Sequence, residues 1–142
     1  MRERALRLLA LAGVLAVLGA AAWWLARPSE GPAPVAYDRV ACAHCRMLVS
    51  EPRFAAQLRR GTGEVLFYDD PGCLLLHRLQ LADPESHAWF HDSRSDRWLD
   101  DEAVAFLRVA ESPMGYGFAA VPRDTEGAED GGAALAHIES GR

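Results

Sequence analysis

The stretch that most limits what this chain can become lies near its start. From Ala5 to Ala26 the residues are Leu, Ala, Val, Gly and Trp, broken only by Arg7. Such a run has no polar face, so it is not the amphipathic helix of a globular surface. Its length matches the roughly 20 residues that a helix needs to cross a bilayer. It exceeds the roughly 7–15 apolar residues of a secretory signal core. A transmembrane helix is therefore expected within residues 1–27, and removal as a signal peptide at Ala20-Ala21-Ala22 is the alternative. Arg2, Arg4 and Arg7 precede the run and predict a cytoplasmic N-terminus. A single-pass inner-membrane protein follows, with its C-terminal domain in the periplasm or on the extracellular side. Trp23 and Trp24 fall where an interfacial aromatic belt would lie. No Cys follows the run closely, which argues against a lipoprotein anchor.

About 110 residues remain, enough for one small domain or two very small subdomains sharing a core. Residues 28–36 contain three prolines and a glycine and predict an extended spacer, with folded structure from Tyr37. Met47-Leu48-Val49 predicts a short strand and Phe54 to Leu58 a second. Arg60-Gly61-Thr62-Gly63 then turns the chain into a hairpin with Val65 to Tyr68. Asp70 fits an N-cap and Pro71 a first helical position, opening a helix to about Leu81. His87 to Asp92 predicts a strand. Ala103, Phe106, Leu107 and Ala110 share one helical face, so a helix capped by Asp100 is expected to run to about Ala110. Met114 to Val121 reads as a Gly-rich strand, ending a domain over residues 37–122. Residues 123–142 are expected to form an acidic, flexible tail with at most a turn or two of helix near Ala133 to Ile138. The fold class is α+β.

The formal net charge is −5. Four arginines and one glutamate put the N-terminal arm at +3, leaving −8 for the rest. An acidic domain argues against nucleic acid as a partner.

The chemistry concentrates in Cys42-Ala43-His44-Cys45-Arg46-Met47, which holds two thiols, an imidazole and a thioether. Soft sulfur selects Cu(I), Zn or iron–sulfur clusters over hard cations. A Cys-x-x-Cys pair also serves as a redox dithiol or half a zinc site. Met47 tilts the set towards Cu(I), because thioether suits Cu(I) better than zinc. The plain alternative is a Cys42–Cys45 disulfide with Met47 in the core. Cys73 sits at a predicted helix start, where the dipole favours thiolate; a small buried hydrophobe is its plain alternative. Met114, in Ser112-Pro113-Met114-Gly115-Tyr116-Gly117, is either a sulfur ligand or a core residue. Asp69 and Asp70 read as cap and turn formers, or as charges supporting a metal site. His77, His87 and His91 read as isolated. No residue pattern for hydrolysis or nucleotide binding is present.

Four stretches in order resemble the NosL family of nitrous oxide reductase accessory proteins. They are Cys42-x-x-Cys45-x-Met47, Phe67-Tyr68-Asp69-Asp70-Pro71-Gly72-Cys73, Trp98 with the helix expected after it, and Ser112-Pro113-Met114-Gly115-Tyr116-Gly117-Phe118-Ala119-Ala120-Val121. Together they cover most of Val40 to Pro122. The resemblance implies two small ββαβ-like units. It also implies an extracytoplasmic Cu(I) carrier, without enzymatic activity, that supplies a copper enzyme or its maturation machinery. Carried over to this chain, the metal candidates are Cys42, Cys45, Met47 and Met114, with Cys73 next. Family members are commonly lipoproteins, whereas a transmembrane helix is expected here, and the segment beyond Pro122 departs from the family pattern. Two rival functions are a thiol–disulfide oxidoreductase using Cys42 and Cys45, and an interaction domain stapled by zinc or a disulfide.

Overall fold

The computed structural model describes residues 2–25 and 31–141, with side chains in the first stretch given for 3, 7 and 11–24. The chain divides into two units, one on either side of Gly31. The first contains helix α1 (Arg2–Leu25), which forms where the apolar run predicts one. Its membrane-spanning role is not carried by the structure. Among the described residues no helix is long and apolar enough to cross a membrane. Of the expected spacer, residues 28–30 lie outside the described residues.

The second unit is a small α+β domain. Its elements are β1 (Ala56–Arg59), β2 (Val65–Tyr68), α2 (Pro71–Leu81), β3 (His87–His91), β4 (Trp98–Asp100), β5 (Val104–Arg108), β6 (Phe118–Pro122) and α3 (Gly131–Ser140). Four strands form one antiparallel sheet in the order β2-β1-β3-β4, and β5 and β6 form a second. The β1–β2 hairpin closes as its turn residues predict. Gly63 adopts φ +89° and its N–H bonds to the Arg60 carbonyl at 2.8 Å. A 3₁₀ turn (Pro52–Phe54) precedes β1 in place of the first residues of the expected strand.

Helix α2 starts as its sequence dictates. The Asp70 carboxylate accepts from Gly72 N at 2.8 Å and Pro71 takes the first turn, where no N–H is needed. Ala82, in the left-handed region at φ +46°, ends it. Leu58, Tyr68, Leu74, Phe90, Phe106 and Phe118 form the fully buried centre of the core. Phe90 of the first sheet meets Phe106 of the second edge-to-face, with centroids 5.1 Å apart. Such a pair contributes about 0.5–1.5 kcal/mol beyond its buried area.

Three expectations are corrected. The helix expected over 100–110 is a tight turn and a strand. Asp100 Oδ1 accepts from Glu102 N and Ala103 N at 3.1 and 3.0 Å, and β5 then pairs with β6 from Val104↔Pro122 to Arg108↔Phe118. Val104, Ala105 and Phe106 are consecutive and all buried, a pattern that suits a strand covered on both faces. Pairing with β6 overrides the helical spacing. The expected flexible tail is part of the core. Glu129 and Phe106 exchange backbone bonds of 2.8 and 2.9 Å, and α3, capped by Asp130, buries Ala134 and Ile138. The second unit of the expected ββαβ pair is therefore β5-β6-α3, with no closing strand among the described residues. Finally, the later part of the expected spacer is docked. Gln57, fully buried on β1, accepts from Ala33 N at 2.7 Å and donates to Ala33 O at 3.1 Å. Arg59 donates to Gly31 O at 2.9 Å.

Candidate metal centre

The Cys motif forms the tip of an irregular hairpin over residues 38–49. Its arms are tied by Asp38 N to Val49 O and Val49 N to Val40 O, both 2.9 Å, and by a bridge between Ala41 and Leu48. The tip closes through Cys42 N to Met47 O at 2.7 Å and Arg46 N to Cys42 O at 3.0 Å. Arg46 turns the chain in the left-handed region, at φ +70°. Only the bridge at Leu48 survives of the strand expected over Met47-Leu48-Val49. Ala43 N bonds to Phe67 O at 2.8 Å, pinning the tip to β2. Two residues beyond Phe67 comes Asp69, and Cys73 lies in the first turn of α2. Hairpin, strand end and helix start thus converge.

One ligand atom from each of Cys42, Cys45, Asp69 and Cys73 lies within 4.8 Å of the others. Cys42 and Cys73 are fully buried and Asp69 is 3% exposed, whereas Cys45 is half-buried and opens the cluster to solvent. All three cysteines are free thiols, so no Cys42–Cys45 disulfide forms. The Cys45 thiol donates to Asp69 Oδ1 at 3.2 Å. Two sulfurs on one tetrahedral zinc are about 3.8 Å apart, from a Zn–S length of about 2.3 Å. A separation of at most 4.8 Å is thus within about 1 Å of what a shared ion requires. The donor set fits a soft or borderline cation: three thiols suit Cu(I) or Zn, and the carboxylate suits Zn.

The thiols differ in acidity. The neighbouring Cys73 thiol outweighs burial and lowers the Cys42 pKa to about 6. The nearby Cys42 sulfur, with burial, drives the Cys73 pKa strongly up. Burial, and the bond to Asp69, push Cys45 up to about 11. Cys42 is therefore the thiol of the cluster that ionises most readily. Burial, followed by the negative charge of the nearby Cys42, pushes the Tyr68 phenol pKa up.

The cysteines expected as ligands come together, and Asp69 joins them. The sequence reading had given Asp69 only a capping or supporting role. A signal was present: α2 needs one N-cap, Asp70 fills it, and the preceding Asp is spare. Met47 and Met114 have exposed side chains, at 60% and 36%. Both belong to segments tied to the cluster. Met47 O closes the hairpin tip, and Met114 N donates to Asp70 Oδ2 at 3.1 Å. Tyr116 packs over Gly72, where an added Cβ would come within 2.5 Å of its ring. His77 is not isolated. Its ring lies 5.7 Å from that of His44, and its Nδ1 bonds to Tyr68 OH at 3.0 Å. The signal was its position one helical turn after Cys73. His87 and His91 lie elsewhere, beside Trp89 and Trp98. A groove of about 650 Å³ opens between α2 and α3 and is lined by none of the cysteines.

Fold and site together define a small α+β domain whose three thiols and one carboxylate can hold a metal ion. In comparison with known proteins, the chain matches no family model, no curated protein and no solved structure.

Proposed function

We propose that this chain is a carrier of Cu(I), without enzymatic activity, that delivers the ion to a copper enzyme. The convergence of Cys42, Cys45 and Cys73 from three segments carries the reading. Three sulfurs suit a monovalent soft ion. The half-buried Cys45 leaves one side of the site open, where an incoming ligand could reach the ion and displace this sulfur, as a carrier needs. Exposed Met47 and Met114 supply further soft atoms on adjoining loops. The NosL resemblance names nitrous oxide reductase, or its maturation machinery, as the client. Helix α1 serves as the inner-membrane tether in this reading, holding the domain on the periplasmic or extracellular side, where tethering raises its concentration near a client. Titration of the reduced, metal-free protein with Cu(I) against a coloured chelator tests the proposal. One ion bound per chain, lost in the Cys42→Ser/Cys73→Ser double variant, is expected; no binding in competition with the chelator sinks it.

Zinc as a structural staple is the second reading, favoured by the burial of Cys42, Asp69 and Cys73 and by the carboxylate. The same titration with Zn(II), followed by Cu(I) displacement, separates the two. Thiol–disulfide exchange through Cys42 and Cys45 is disfavoured, because the more acidic thiol, Cys42, is fully buried and the pair belongs to a hairpin tip rather than to the first turn of a helix.

A further inference from the structure

The rim of the metal cluster carries an exposed cation above buried anionic groups, in a domain that is otherwise acidic. Residues 31–142 hold eleven arginines against eighteen acidic residues, yet the hairpin tip 41–48 has no acidic residue and carries Arg46 and His44. Asp69 beneath it is buried. The His44 ring of the tip lies 5.7 Å from that of His77 on α2, and burial, followed by His44, Arg46 and Arg60, disfavours the charged form of His77. Arg60 is neutralised by Glu64 and Asp83, at 3.2 and 3.5 Å. Among the described residues Arg46 forms no ion pair, and it is exposed. Its backbone lies at φ +70°, where glycine is at ease and other residues lose about 1–2 kcal/mol. Beside it stand Met47 and Leu48, at 60% and 50% exposure, two of only four exposed large apolar side chains described beyond residue 30.

We propose that the hairpin tip is the docking face for a partner protein that presents carboxylates around its own soft metal ligands, with Arg46 steering it and Met47 and Leu48 forming the apolar centre. This rests on the Cu(I)-carrier reading and adds the chemistry of the partner. A protein suits the face better than an anionic membrane. Lipid recognition through charge takes clusters of about 4–8 basic residues, and one arginine is not such a cluster. Soft thiols at the centre of the patch also need soft ligands opposite. Steering by opposite charge raises association rates and fades with salt.

The test follows transfer of Cu(I) from the full chain in neutral detergent micelles to two probes, bathocuproine disulfonate, which is anionic, and bathocuproine, which is uncharged. Arg46→Glu should slow transfer to the anionic probe about tenfold at low salt. Transfer to the uncharged probe should stay within about twofold, and the difference should shrink as salt rises. Arg46→Gln should fall between. Arg123→Glu is the control, beside the groove at the far end of α2; it should show no selectivity. Poly-glutamate should slow exchange from the unaltered protein and have less effect on Arg46→Glu. Equal slowing towards both probes, no slowing, the same selectivity from Arg123→Glu, or no effect of poly-glutamate overturns the proposal. Arg46-dependent binding of the domain to phosphatidylglycerol vesicles overturns it in favour of a membrane. A chain that takes up no Cu(I) fails the carrier reading itself; one that binds Cu(I) without charge selectivity fails only this inference.

Discussion

The Cys45 thiol donates to the buried Asp69 carboxylate across 3.2 Å, joining the exposed edge of the hairpin tip to the end of β2. Asp69→Asn keeps the shape and removes the charge. Because partners of this kind commonly govern metal affinity by about 10–100-fold, Zn(II) affinity should fall by that order. Cu(I) affinity, resting on three sulfurs, should fall less. Chelator competition with each ion measures both, and equal losses would deny the carboxylate a zinc-specific role.

Metal uptake should release protons in a number set by the thiols. Between about pH 6 and 9 Cys42 is already a thiolate, while Cys45 and Cys73 keep their protons. Binding through all three sulfurs then frees two protons per ion. Below about pH 6 Cys42 is protonated too, and the number rises to three. Since protons compete with the ion, affinity falls as pH falls, more steeply below that point. Titration in weak buffer with a pH indicator measures the release. A release that does not rise as the pH falls through about 6 would contradict an acidic Cys42.

Ile138 tests whether residues beyond Pro122 belong to the core. Its side chain is 5% exposed, packed with Ala134 into the same cluster as Phe106. Ile138→Ala should cost about 2–4 kcal/mol in denaturant unfolding. A detached tail would show almost no change.

Gln57→Ala should release the docked segment. Loss of the paired bonds to Ala33 leaves its N–H and carbonyl without those partners, at a cost of about 1–3 kcal/mol. Faster proteolysis near Gly31 should accompany the fall in unfolding midpoint. An unchanged midpoint with unchanged cleavage would mean that the segment is held by other contacts.

Gly72→Ala should disturb two loops at once. The added Cβ lies 2.5 Å from the Tyr116 ring, so the Ser112–Gly117 segment must move off the first turn of α2. Overpacking of this kind costs about 1–3 kcal/mol. A loss of Cu(I) affinity beyond that of Met114→Ala would mean that the Cys73 turn moves as well.

Local chemistry made much of this legible. Asp70 and Pro71 announced α2, the glycine-bearing turn announced the first hairpin, and Cys42, Cys45 and Cys73 stood out as the candidate sulfurs. What hid was decided by pairing over distance. Phe106 and Leu107 share a helical face with Ala103, yet β6 and Glu129 claim both edges of their segment. Ala134 and Ile138 look unremarkable in an acidic stretch, until the second sheet offers them a surface. Asp69 looked redundant beside Asp70 because its partner, Cys45, is 24 residues earlier.

The pin from Ala43 to Phe67 gives the ion a mechanical meaning. An occupant held by Cys42 and Cys73 would clip together points 31 residues apart, closing a ring of chain much as a covalent cross-link does. Release of the ion would then slacken the ring, so the empty and the filled protein would differ in the surface they present at the hairpin tip.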